Sequence, residues 1–157
     1  MNYPPSQTFN YGWDTLVGAV AFSPDGSYFL TTSGDGITHK WRGDTGDGPL
    51  ADYHDSLHGN FEPLALSISK TGDYFFTVTR NTQAPLGESL LGKANRVKLW
   101  SARSGNPVSD NPDHRFAGTF SPDGRRFASA TAMGNDFALQ VLVACRRVTI
   151  TTGHTSL

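Results

Sequence analysis

Short apolar runs recur along the chain, and each ends in the same kind of polar turn. Val17-Gly18-Ala19-Val20-Ala21-Phe22 leads into Ser23-Pro24-Asp25-Gly26, and Phe116-Ala117-Gly118-Thr119-Phe120 leads into Ser121-Pro122-Asp123-Gly124. Between them Leu64-Ala65-Leu66-Ser67-Ile68 leads into Ser69-Lys70-Thr71-Gly72, a copy that keeps only the Ser and the Gly of the turn. A nearly unbroken apolar run of this length reads as a strand covered on both faces, and Ser first, Pro second and Gly fourth is a type I turn signature. A second strand is predicted after each turn, over 28–33, 74–79 and 126–131. A third is predicted over 37–41, 96–100 and 137–143. Polar turns after Trp41 and Trp100 let a fourth strand return antiparallel, and 148–151 is its candidate in the last copy. Four strands repeated every ~45 residues or slightly more is the period of a propeller blade rather than of a sandwich.

Composition agrees with strands and turns. Of 14 acidic residues 12 are Asp, only 4 of 13 basic residues are Lys, and Gly (17) and Pro (9) are plentiful. Strong helix formers are therefore scarce and turn formers abundant, which argues against a helical bundle. A net charge of -1 gives no long-range attraction for polyphosphate, so nucleic acid is not expected as a partner. Cys145 is the single cysteine, and the N-terminus shows neither a basic segment nor a following apolar run. The expectation is a cytoplasmic protein that neither crosses nor binds a membrane.

The pattern resembles the WD-repeat β-propeller family. The resemblance is carried by Ala21-Phe22-Ser23-Pro24-Asp25-Gly26, Asp35-Gly36-Ile37-Thr38-His39-Lys40-Trp41, Arg96-Val97-Lys98-Leu99-Trp100 and Phe120-Ser121-Pro122-Asp123-Gly124. It implies an all-β partial propeller of about three four-stranded antiparallel blades, at about 12–57, 58–109 and 110–152, with 153–157 beginning a fourth repeat. In this family a Gly-His, a Ser or Thr, an Asp and a Trp form a buried hydrogen-bonded chain in each blade. By position the first blade offers Thr31, Asp35 and Trp41, the second Thr77 and Trp100, and the third Ser129 and Asp136 with Leu142 in place of Trp. Gly12-Trp13 stands where Gly-His is expected, Ala94 stands at the second Asp position, and a Gly-His appears once, at Gly153-His154. None of the three sets is complete.

Three blades flanked by an orphan strand at 7–11 and a broken start at 153–157 do not close a ring, which typically takes four to eight blades. The chain is expected to be incomplete alone and to associate, as a homo-oligomer that completes a ring or with other proteins. The resemblance implies a non-catalytic scaffold that binds proteins or peptides. The alternative is a detached part of a larger signalling enzyme, such as a protein kinase fused to WD repeats. A third possibility is a degenerate remnant.

No motif for chemistry outweighs its plainer reading. Asp52, His54, Asp55 and His58 are dense enough to suggest a metal, and His54 and His58 have the i, i+4 spacing that zinc hydrolases use on a helix, but the segment follows Pro49 and falls where the repeat places an outer strand and loop. Cys145 lacks an activating neighbour. Arg42-Gly43-Asp44 reads as turn chemistry, and no Gly-rich loop opens a helix to cradle phosphate. No cofactor, metal or catalytic residue is assigned. The irregular feature is an insertion at 80–95 between the second and third strands of the second blade. Arg80, Leu86, Glu88, Leu90, Leu91 and Lys93 make it the candidate protein-binding loop. Alternation of connections in a meander places it at the same end as 12–16 and 58–61.

Overall fold

The computed structural model describes residues 17–55, 61–87, 95–109, 115–133, 136–143 and 146–150. Twelve strands form three antiparallel four-stranded sheets in chain order. The first blade holds β1 (Val17–Phe22), β2 (Tyr28–Ser33), β3 (Ile37–Arg42) and β4 (Ala51–His54). The second holds β5 (Phe61–Ile68), β6 (Tyr74–Asn81), β7 (Asn95–Ser101) and β8 (Pro107–Ser109), and the third β9 (Arg115–Phe120), β10 (Arg126–Met133), β11 (Asp136–Val143) and β12 (Arg146–Ile150). The second-blade strands run past their predicted ends because Glu62 pairs with Arg80 and Phe61 with Asn81.

One turn design joins the first two strands of every blade. Gly26, Gly72 and Gly124 adopt φ of 71°, 75° and 71°, a conformation that other residues enter only at a steric cost. Each donates its amide to the carbonyl of the leading serine, Ser23, Ser69 or Ser121, at 2.8–2.9 Å. The serine hydroxyl also accepts the amide five residues on, from Tyr28, Tyr74 and Arg126 at 3.0, 3.1 and 2.9 Å. Asp25 and Asp123 accept the same serine hydroxyls and the amides of Ser27 and Arg125, and Thr71 takes that part in the second blade, where the Asp73 amide meets its hydroxyl. The Ser27 amide, then the Ser27 and Ser23 hydroxyls, hold the Asp25 carboxyl below the usual carboxylate range. The middle copy thus retains the two residues that the backbone geometry cannot replace.

A second shared device is invisible in the apolar pattern. In each innermost strand one residue is skipped in the pairing with its neighbour, at Gly18, Leu64 and Phe116, four residues before the strand ends. Such a bulge adds local twist. At Gly18 it brings β1 against Pro63 of β5, where a Cβ would collide with the proline ring and carbonyl.

The cores lie between blades. Tyr28, Leu30 and Tyr53 of the first blade pack on Phe75, Trp100 and Ala102 of the second, with Ala51, Leu66 and Ile68 at the margin. Phe76, Val78, Val97 and Leu99 on the other face of the second blade pack on Phe127 of the third, with Phe120 beside it. The faces that carry Phe75 and Phe127 therefore look towards the preceding blade, and those that carry Tyr28 and Phe76 look towards the next.

Two tyrosines pin the first interface. The Tyr28 hydroxyl donates to the Gly72 carbonyl at 2.7 Å and the Tyr53 hydroxyl to the Ala102 carbonyl at 3.1 Å. Burial, reinforced by Tyr53, Asp25 and Asp73, pushes the Tyr28 phenol up to about 12, and burial raises Tyr53 as well. A phenol in the unfolded chain ionises near pH ~10. The stabilisation from Tyr28 is accordingly complete below about pH 10 and is lost as pH rises from there through about 12. Thermal melting followed by circular dichroism between pH 8 and 12 is expected to show this fall, with a shallower slope in Tyr28→Phe.

Candidate interaction surfaces

Trp41 and Trp100 have the hydrogen-bond acceptors expected from their positions. In the first blade Trp41 Nε1 donates to Thr31 Oγ1 at 2.9 Å, and in the second Trp100 Nε1 donates to Thr77 Oγ1 at 3.2 Å. Asp35 organises the turn before β3 by accepting the Ile37 amide at 2.9 Å and the Ser33 hydroxyl. Register explains the third blade. Trp41 faces Phe29 and Trp100 faces Phe75 across the strands, whereas Leu142 faces Phe127. Ser129 therefore meets no indole; it is 2% exposed and its Oγ has no hydrogen-bond partner. Asp136 lies within β11, opposite Met133, rather than in the turn. Gly12-Trp13, Ala94 and His154 lie outside the described residues. Folding takes the Ser129 hydroxyl out of water and gives it no partner, so Ser129→Ala is expected to be neutral or slightly stabilising in urea unfolding. Thr77→Val, which strands the Trp100 N–H, is expected to cost about 1–3 kcal/mol in the same measurement.

Two side-chain pairs escape a reading by local pattern. Lys98 Nζ, reaching back from β7, meets Asp55 Oδ1 of the first blade at 2.9 Å, with side chains 8% and 9% exposed. The same ammonium lies 4.5 Å from the centre of the Trp100 ring. Asp55 is positioned by its own amide, which donates to the Gly36 carbonyl at 3.0 Å. His39, at the place in the first blade that Lys98 holds in the second, has Nδ1 2.8 Å from Asp52 Oδ1. The suspected metal cluster thus separates: Asp52 and Asp55 face different partners, His54 is exposed, and His58 lies outside the described residues. Among the described residues no three His, Cys, Asp or Glu side chains stand together as a metal site.

The Arg42-Gly43-Asp44 turn closes on itself. Arg42 Nε and Nη2 fork onto the two oxygens of Asp44 at 3.0 and 2.7 Å, and these bonds hold the Asp44 carboxyl below its usual range. Gly43 is required there because a Cβ would overlap the Gly26 carbonyl.

The strand-to-strand insertion begins later than its sequence suggests. Arg80 belongs to β6 and forms an ion pair with its cross-strand neighbour Glu62, so the connection proper is 82–94. It leaves the sheet where Phe61 opens β5, the end expected from the alternation of connections. Leu86 is 75% exposed. Glu88, Leu90, Leu91 and Lys93, together with 12–16 and 58–60, lie outside the described residues.

Residues 4–42 match the family model "WD40: WD domain, G-beta repeat". The fold is similar to that of the Cps50 (Swd1) β-propeller domain from Myceliophteria thermophila, with a TM-score of 0.58 at 18% identity. The match covers 88% of this chain and 39% of that one. No curated protein matches the sequence.

Proposed function

We propose that this chain, a WD-repeat array of three stacked propeller blades, is a protein-interaction scaffold without catalytic chemistry. The observation that carries the reading is Leu86, 75% exposed in the connection that follows β6. Insertions in repeat proteins collect on the binding face, and function in such folds lives in the loops. Leu86, Leu90 and Leu91 beside Glu88 and Lys93 suit an amphipathic contact with a protein or peptide, with Arg80 at its strand base. The single cysteine fits a reducing, cytoplasmic setting. Replacing 85–92 with a short Gly-Ser linker is expected to remove partners from an affinity capture. A partner set unchanged from the intact chain means that the loop is not the site.

A second reading is that the array is a detached part of a larger signalling enzyme, such as a protein kinase fused to WD repeats; the match to only 39% of the similar propeller domain supports further blades beside these three. Coding sequence continuing into further Gly-His and Trp-Asp units beside this one would favour it.

A further inference from the structure

Four Asp-Gly pairs stand in the sequence, at Asp25-Gly26, Asp35-Gly36, Asp47-Gly48 and Asp123-Gly124, and all four lie in described connections between strands. An aspartyl carboxyl reaches the next backbone nitrogen most readily when that residue is glycine, which puts no side chain in the way. The nitrogen attacks the side-chain carbon Cγ, its proton and the carboxyl hydroxyl leave as water, and a five-membered succinimide closes. Water then opens the ring at either carbonyl. One opening returns aspartate and the other gives isoaspartate, in which the main chain runs through the former side chain. Only water is lost and regained, and no electrons change hands. The reaction requires a glycine nitrogen free to turn onto Cγ and a carboxyl free to rotate.

Three of the pairs are held on both counts. The amides of Gly26, Gly36 and Gly124 donate to the carbonyls of Ser23, Ser33 and Ser121 at 2.9, 3.1 and 2.8 Å. Asp25 accepts the Ser27 amide and the hydroxyls of Ser23 and Ser27, Asp35 the Ile37 amide and the Ser33 hydroxyl, and Asp123 the Arg125 amide and the Ser121 hydroxyl. The Ser27 amide above all for Asp25, and the Ser121 hydroxyl above all for Asp123, hold these carboxyls below the usual range, away from the protonated form that can lose water. The fourth pair is built differently. Asp47 and Gly48 are exposed, and the Gly48 amide makes no hydrogen bond among the described residues. No backbone amide holds the Asp47 carboxylate, whose hydrogen bond comes from the exposed Thr45 hydroxyl at 2.7 Å.

We infer that Asp47 is a site of spontaneous covalent modification, converted to isoaspartate by attack of the Gly48 nitrogen on its Cγ while the other three Asp-Gly pairs are protected by their turns. The consequence falls on the connection between β3 and β4. The Asp47 carbonyl, which accepts the Arg42 amide at 2.9 Å, becomes a free carboxylate, and the main chain gains a methylene. Gly48 has little room to shift, since a Cβ there would stand 3.0 Å from both the Trp41 ring and the Leu50 amide. That amide donates to the Lys40 carbonyl at 2.6 Å where β4 begins, so the modification loosens the strand that carries Tyr53 into the first inter-blade core. The inference stands apart from the loop reading, since it concerns the turn after β3 and not the 82–94 connection.

Ageing of the full chain at neutral pH and physiological temperature tests it. Digestion with endoproteinase Asp-N, which cuts before aspartate but not before isoaspartate, followed by mass spectrometry against an unaged sample, reads each site. Isoaspartate is expected at position 47 at least about tenfold faster than at 25, 35 or 123, because those three must first break hydrogen bonds to react. In urea, with the turns undone, the four rates should draw together. Asp47→Glu, which would need a six-membered ring, should abolish the product at this position with the β-sheet circular dichroism retained. Equal rates in the folded chain, isoaspartate forming first at any of the other three, or no product at 47 in a folded chain that forms it in urea overturns the inference. So does a lead for Asp47 as large in urea as in water, which would belong to the sequence and not to the fold.

Discussion

Phe75→Ala is expected to lower the unfolding free energy by about 3–5 kcal/mol, the range for deleting a buried aromatic ring. Phe75 is fully buried between blades, 4.8 Å centre to centre from Tyr53 in an edge contact and 6.0 Å from Trp100 in a stack. Its truncation empties the middle of the first inter-blade core rather than the interior of one sheet. Phe29→Ala removes the ring at the same place in the first blade, where among the described residues no blade packs on it. Its expected cost is less than half as large. Urea unfolding followed by tryptophan fluorescence compares them, and equal costs would mean that inter-blade packing is not what stabilises the array. With total stabilities of about 5–15 kcal/mol, the first change alone is enough to populate unfolded chain.

Lys98→Ala is expected to cost about 3–5 kcal/mol for a different reason. It leaves the Asp55 carboxylate in a nearly closed site with its cation gone, and an unpaired buried charge is far more costly than a missing pair. It also removes an ammonium from the face of Trp100. The double change Lys98→Met with Asp55→Leu takes away both charges and should recover most of the loss. If the single change costs under about 1 kcal/mol, the pair behaves as a solvated surface bridge and contributes little to joining the blades.

Local pattern carried much of this architecture. Apolar runs closed by Ser and Gly located the inner strands and their turns, because a positive φ and a serine oxygen facing an amide five residues on leave few substitutes. The Thr31–Trp41 and Thr77–Trp100 pairs followed from position in the repeat, and so did the lack of an indole for Ser129. The bulges at Gly18, Leu64 and Phe116 left no local sign, since an extra residue in an apolar run does not change its composition. Lys98 reads as a solvent-facing charge in Arg96-Val97-Lys98-Leu99-Trp100. Its burial depends on a carboxylate from another blade, 43 residues earlier. Asp52 and Asp55 looked like members of one cluster because they are neighbours in sequence, but strand alternation and the end of β4 send them to different partners. Arg80 looked like the start of a loop because its partner Glu62 comes 18 residues before it, on the neighbouring strand.

The three sheets are stacked so that their cores lie between them, and nuclear Overhauser contacts between aromatic side chains report this directly. Tyr53 to Phe75 and Phe76 to Phe127, with ring centres 4.8 and 5.1 Å apart, span the first and the second interface. The stacked array predicts cross-peaks for both pairs, along with the Phe75 to Trp100 contact inside the second blade. Finding the contact within the blade while both pairs between blades are silent would contradict it.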